Sequence, residues 1–457
     1  MARPRKNAAK VQGSLLAPDE VAEIPVEEQP YPLPEGWKWE RGNSLWKPQE
    51  TEKPTGEFFY YIDIDAVDNK QQKVISPKKI PLSQAPSRAS RKLHEGDTIF
   101  SLVRPYLRNI AYIDEDISSC IASTWFYICS PLKSVNSRFL YWLMTSDYVV
   151  LGLNKFMKGD NSPSIRKNDI ENFPFPLPPI DEQQRIVDRI ESLFAKLDDA
   201  KAKAEAVLDS FEIRKAAILH KAFTGELTAK WRDERGVDMK SWEYVNLSTV
   251  SRLQTGIMKG KKYIKETQKM PYLRVANVQD GYFDLNEIKE IDLPIDDMNR
   301  YLLRKGDVLF TEGGDFDKLG RGAVWNEEIF PCTYQNHIFV VRTDAKRLVP
   351  KFLSLQARSQ YGKQYFLHCS KQTTNLASIN STQLKNFPLI LPSVAEQQEL
   401  VHILDNLLAK EQQAKEAAET VLHQLKLMKK AILARAFRGE LGTHGSARDT
   451  LQNNGSM

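Results

Sequence analysis

Clustered cations set beside aromatic and amide side chains are the residue types with most chemistry to offer in this 457-residue chain, and that chemistry is binding. MKGKKYIK (258–265) places Lys259, Lys261, Lys262 and Lys265 around Tyr263, and clustered ammonium groups suit phosphates; a merely solvated face is the alternative. VRPYLRN carries Arg104, Tyr106 and Arg108, and DKLGRG carries Lys318 and Arg321, so forked donors that can reach guanine edges sit in loops beside predicted strands. Two further polar loops, MKGDNSPSIRK with Lys158, Asn161 and Arg166, and SKQTTNLASIN with Lys371, Gln372, Thr373, Thr374 and Asn375, have the composition for phosphate and base-edge contacts. Both precede an Asn-Phe-Pro segment.

Catalytic inventory is missing by contrast. The chain has no GxGxxG after a strand, no GxxxxGK[ST], no HExxH and no GxSxG. NFPF (172–175) approaches the Asn-Pro-Pro-aromatic loop of adenine methyltransferases but lacks the first proline, and reads as a structural hinge before a helix. Asp114 with Asp116, and Asp315 with Asp317, sit in loops where a solvated turn is the simpler reading. Cys120, Cys129, Cys332 and Cys369 form no CxxC pair, so neither metal ligation nor a special thiol role is expected.

The elements that must position these loops are written twice. At an offset of 214 residues, 182–227 aligns with 396–441 without a gap, sharing EQQ at the start and GEL at the end. Apolar residues recur at alternating spacings of four and three: Ile186, Ile190, Leu193, Leu197, Ala200, Ala204, Val207 and Phe211, then Ile218. The second copy follows with Leu400, Leu404, Leu407, Ala414, Ala418, Val421, Leu425, Met428 and Ile432. This is a heptad seam, interrupted where Glu411 stands in place of Leu197. Asp181 with Gln184 and Ser393 with Glu396 have capping-box spacing, while Gly225 and Gly439 suit the left-handed position after a helix. Each helix could span about 43 residues, or roughly 65 Å, and the simplest cover for one seam is the other copy, run antiparallel.

The repeat reaches upstream more faintly. Gly96-Asp97 matches Gly306-Asp307, Tyr61 matches Tyr272, Trp37 matches Trp242, and each globular segment mixes short strands with a helix near RFLYWLMTSDYVV or KFLSLQARSQYGKQYF. The expected fold is α+β: two α/β segments alternating with two long repeated helices in an antiparallel coiled coil, pseudo-two-fold. The boundaries read as a disordered arm (1–32), a first globule (33–180), the central helix (181–227), a linker and second globule (228–392), the C-terminal helix (393–441) and a disordered tail (442–457). Two domains suit a chain longer than one core supports. A net charge of +5 and pI near 8.7 permit a nucleic-acid partner, and no apolar run approaches a membrane span, so a cytoplasmic protein is expected.

On PLPEGW, PLPPIDEQQRIV, AFTGELTAKWR, TEGGDFDKLGRGAVW, QNHIFVVR and TTNLASIN, the chain resembles the specificity subunits of type I DNA restriction-modification enzymes, from Leu33 to Leu441. The resemblance implies two target-recognition domains, each reading half of a split, asymmetric double-stranded DNA site, with the coiled coil setting their distance. It implies no catalysis and no cofactor on this chain. Partners would be two modification subunits, which use S-adenosylmethionine to methylate adenine N6, and restriction subunits using ATP and Mg2+. It adds Thr311, Asp315, Gln335, Asn336 and His337 to Lys318, Arg321 and the 371–375 loop as DNA-contacting residues. Two alternatives stay open: a coiled-coil scaffold without a DNA role, and a single-chain adenine methyltransferase.

Overall fold

The computed structural model describes residues 24–258, 266–314, 319–372 and 377–443. They form two compact units, one of the described residues up to 203 and from 421 on, the other of those from 204 to 420. The two share one plan.

In the first unit Lys38–Arg41 pairs antiparallel with Pro174–Leu177 as a two-stranded ribbon. Thr98–Ser101 lies between Phe126–Cys129 and Ile110–Tyr112, and Phe58–Ile62 runs parallel to Ile121–Ser123 in a four-stranded sheet. In the second unit the ribbon is Glu243–Asn246 with Pro388–Leu391. Val308–Thr311 lies between Ile338–Thr343 and Gly322–Val324, and Thr267–Leu273 runs parallel to Thr333–Tyr334. The Asn-Phe-Pro segments therefore lead into ribbon strands with Phe173 and Phe387 buried, rather than acting as hinges. The matched Gly-Asp pairs make one turn twice: Gly96 and Gly306 take φ of 86° and 87°, and Asp97 and Asp307 accept the amides of His94 and Arg304 at 2.8 and 3.0 Å.

The single helix expected in each globule is a pair. Ser137–Thr145 and Asp147–Asn154 meet at Ser146, and Pro350–Arg358 and Gln360–Cys369 meet at Ser359; each serine leaves the helical region and its hydroxyl caps the next helix by accepting an amide. Local capping wins there over the apolar periodicity.

The long helices run Ile180–Asp209 with Phe211–Phe223, and Val394–Ala436 as one helix of 43 residues. At Ser210 the hydroxyl donates to the Ala206 carbonyl at 2.6 Å, which bends the ladder there. Gly225 and Gly439 take φ of 82° and 75°, as their place after a helix requires. In the first unit Ile186, Ile190 and Phe194 share a core with Leu425, Leu433 and Phe437; in the second, Leu219 and Phe223 share one with Leu400 and Leu404. Within each unit the start of one long helix thus lies against the end of the other, an antiparallel pairing. The seam is not buried throughout: Ala414, Val421 and Met428 are exposed, because burial follows the globules that cover the helices rather than the heptad alone. Glu411 is answered within its own unit by Arg214, whose Nε lies 2.7 Å from Oε2.

The repeated EQQ is a clamp. Trp37 Nε1 donates to Glu182 at 3.0 Å and Trp242 Nε1 to Glu396 at 2.9 Å. Gln183 accepts the Asn136 amide and donates to the Ser134 and Pro178 carbonyls; Gln397 accepts the Val349 amide and donates to those of Arg347 and Pro392. Buried amides with every bond made fix each helix start to its globule. Capping-box spacing marks the right turn, but Gln184 binds Asn136 and Asp188, and Glu396 binds Trp242, Thr228 and Arg232, while Ser393 Oγ caps by accepting the Glu396 amide.

The expected arm divides. Residues 1–23 lie outside the described residues, whereas Val26–Glu28 form a 3-10 turn and Tyr31 donates to the Phe437 carbonyl at 2.8 Å and packs on Trp39 and Tyr148. Within the tail, residues 444–457 lie outside them too.

Candidate nucleic-acid interface

In each globule one strand leaves the core and is caught by two later segments. In the first, Ser101 ends a fully buried strand, and Leu102 then donates its amide to the Trp125 carbonyl at 2.9 Å and accepts the Ile165 amide at 2.9 Å. Val103 and Lys158 both bridge to Ser164, and the Arg104 amide reaches the Pro163 carbonyl at 2.8 Å. In the second, Thr311 ends the matching strand, and Glu312 donates its amide to the His337 carbonyl at 2.9 Å and accepts the Ile379 amide at 2.7 Å. Gly313 and Lys371 both pair with Ser378, and Gly314 with Ala377. The backbone corner is the same in both. Gly313 is needed in the second, since a Cβ there would lie 2.6 Å from the Ala377 carbonyl.

The corner gathers most of the sequence-selected residues of the first globule. Arg104 donates to the Asn161 carbonyl at 2.8 Å, joining its loop to that of Lys158, and Tyr106 stands beside it 45% exposed. Arg166 is exposed just beyond the Ser164 bridge, its amide held by Asp169 at 2.7 Å. Arg108 is turned away: it binds Asp147 and the Thr145 carbonyl, which commits it to holding the helix that begins at Asp147. Left-handed φ values of 48° and 59° at Arg104 and Arg108 make this loop a tight excursion from the sheet.

In the second globule Lys371 and Gln372 lie exposed on the corner, and Gln335, Asn336 and His337 border it. Gln335 Oε1 takes the Val275 amide at 3.4 Å, and the Asn336 amide is held by the Ile257 carbonyl at 3.0 Å. Thr311 is fully buried with its hydroxyl on the Arg321 carbonyl, so it supports the corner instead of reaching outward. Arg321 donates Nη1 to Gln279 Oε1 at 3.0 Å and is half-buried. Lys259, Lys261, Lys262, Asp315, Lys318, Thr373, Thr374 and Asn375 lie outside the described residues.

The side chains at matched places differ most. His337 Nδ1 meets Glu312 Oε2, and the pair lines a cleft of about 510 Å³ with Val275, Lys371 and Ser378. At the same two backbone positions the first globule has Leu102 and Trp125, with the Arg88 guanidinium stacked 3.8 Å from the indole centroid. Glu312, Leu102, Trp125 and Arg88 were missed by composition because a single Glu or Trp in a loop carries no pattern. Aligning Gly96-Asp97 on Gly306-Asp307 would have set Leu102 opposite Glu312.

A second charged cluster supports the second globule: Asp280 binds Arg358 at 2.6 Å and Lys215 at 3.4 Å, and although burial works the other way, Arg358 first and Lys215 after it hold its carboxyl below the ordinary range. Among the described residues no cluster of three or more His, Cys, Asp and Glu is placed to hold a metal ion, and no helix is long and apolar enough to cross a membrane.

Comparison with known proteins agrees with this two-fold plan. The family model for the type I restriction modification DNA specificity domain matches twice, at residues 47–208 and 239–420. The chain is 25% identical over 319 residues to the type I restriction enzyme EcoKI specificity subunit of Escherichia coli (strain K12), covering 69% of this chain and 68% of that one. It is 26% identical over 321 residues to the EcoBI specificity subunit of Escherichia coli, covering 67% and 66%. Among solved structures it is similar to the HsdS subunit from Thermoanaerobacter tengcongensis, with TM-score 0.66, 27% identity, and coverage of 90% of this chain and 99% of that chain. A chain solved in work on complex assembly and conformational transition of the type I R-M system matches with TM-score 0.70, 28% identity, and coverage of 90% and 100%. The chain belongs to the type I restriction-modification specificity family, as a non-catalytic subunit built on two DNA specificity domains.

Proposed function

We propose that each globular domain reads one half of a split, asymmetric double-stranded DNA site, that the paired long helices set the gap, and that the chain thereby directs adenine-N6 methylation and restriction by partner subunits. The observation that carries this reading is one backbone corner built twice with different side chains, Glu312 and His337 against Leu102 and Trp125. A fixed frame with changed occupants is what two readers of different sequences need, since phosphate contacts position a protein while base-edge contacts specify its site. Arg104, Tyr106, Lys158, Asn161 and Arg166 would meet DNA in the first domain. Gln335, Asn336, His337, Lys371 and Gln372 would do so in the second, joined by Lys259, Lys261, Lys262, Asp315, Lys318, Thr373, Thr374 and Asn375. The placement of Arg108 and Thr311 favours supporting roles for both, and Arg321 would act through its bond to Gln279.

The partners in this reading are two modification subunits, which bind S-adenosylmethionine, and restriction subunits that use ATP and Mg2+; the chain itself binds no cofactor. Its repeated helices offer matched partners equivalent seats. A genome-wide map of N6-methyladenine in cells expressing the chain with its modification subunit, against the subunit alone, tests the proposal. Methylation at one split motif, present only with the chain, is expected; a stable complex without such a motif would favour the scaffold reading.

A further inference from the structure

The two corners differ most at the pair of positions joined by the amide-to-carbonyl bond from Leu102 to Trp125, and from Glu312 to His337. In the second domain that pair puts an acid at a surface proposed to meet phosphates. A carboxylate is repelled by the DNA backbone, so at such a surface it is a liability unless it gains a hydrogen bond from a base donor, which a charged oxygen accepts more strongly than a neutral one. In the major groove such donors are the exocyclic amines, cytosine N4 and adenine N6.

The geometry fits an acceptor held ready. Glu312 is fixed at both backbone atoms, by the His337 carbonyl at 2.9 Å and the Ile379 amide at 2.7 Å. His337 Nδ1 engages Oε2, and the Glu312 side chain stays 36% exposed in the 510 Å³ cleft. Gly313 and Gly314 follow directly, so no side chain on the next two residues blocks approach, and Lys371, on the far side of the 377–378 strand but lining the same cleft, supplies a cation for a phosphate. The first domain offers Leu102 and Trp125 instead, which can take no amine hydrogen bond through their side chains.

We propose that Glu312 reads an exocyclic base amine in the half-site of the second domain and that His337 is its positioning residue; this rests on the DNA-reading function proposed above. The pair explains how one frame yields two specificities: acid and imidazole where an amine is read, apolar and indole surface where a base is met by contact.

The test maps N6-methyladenine in cells expressing the full chain with its modification subunit, for the unaltered chain and for Glu312→Gln, Glu312→Ala, His337→Ala and His337→Asn. Glu312→Ala should relax one position of the second half-site, where cytosine or adenine is strongly preferred, by about tenfold, since one good base contact is worth about that much, and Glu312→Gln, which keeps one neutral oxygen acceptor, should relax or shift it by less; which base it was is read from the motif itself. His337→Ala should relax that same position and His337→Asn should restore part of the preference, an outcome a merely structural histidine would not give. The first half-site should stay as it was. Unchanged preferences in both Glu312 variants, or a uniform loss of methylation over all sites with His337→Ala, would overturn the inference. Should Glu312→Gln silence methylation, binding of the assembled complex to duplexes varied one base at a time decides: weakening confined to one amine-bearing position supports it, and equal weakening on every duplex overturns it. An unaltered chain that yields no split motif would instead remove the underlying function.

Discussion

Set side by side, the clamp at the helix start and the corner at the sheet edge behave oppositely across the two halves of the molecule. The clamp keeps one set of bonds in both halves, an indole on a glutamate and a glutamine spanning one amide and two carbonyls. The corner repeats only its backbone. Where residues must hold a domain to a helix, the same chemistry serves twice; where they face outward, the frame is kept and its occupants change.

The comparison is broken most severely at Glu396, which answers Trp242, Thr228 and Arg232 together, with Arg232 only 7% exposed. Glu396→Ala strands a buried cation and two donors and should cost about 3–5 kcal/mol, read by denaturant unfolding of the full chain. Gln183→Ala and Gln397→Ala should each cost about 2–3 kcal/mol and, because the bonds match, by closely similar amounts; unequal losses would show that the clamps only look alike.

The shared Gly-Asp turn sharpens it further. Arg342 holds Asp307 at 2.9 and 3.1 Å, so Arg342→Ala should destabilise by about 2 kcal/mol. In the first half burial pushes the Asp97 carboxyl above its ordinary 3.8, with Ser130 and the His94 amide offsetting only part. The folded state then keeps that proton to a higher pH than the unfolded chain. Its favourable contribution is present below about pH 3.8 and lost as pH rises through the folded value. Stability measured against pH should lose that slope in Asp97→Asn. The smallest effect is expected at Arg214 and Glu411, partly exposed on the long helices of the second unit, where a double-mutant cycle should give about 0.5–1 kcal/mol.

Much of this was legible in the sequence. The helices could be read because a heptad seam is local and appears twice, and the glycines after them because their φ is dictated within a few residues. The corners could not, since Val103 meets Ser164, and Glu312 meets His337 and Ile379, across long stretches of chain. Loop composition found Lys158 and Lys371, which do occupy matched bridges, but it selected Arg108, whose guanidinium is held by Asp147. An arginine's partner is a tertiary fact. Exposure of Val421 and Met428 failed expectation for the same reason, because periodicity says which residues share a face but not how much of that face is covered.

The most direct test of the central claim, two readers on a support that sets their distance, is a heptad insertion in the Ala-rich stretch at residues 200–206, followed by methylome mapping with the modification subunit. The account predicts a longer unspecified gap between two unaltered half-sites. An unchanged gap, or a changed half-site, would contradict it.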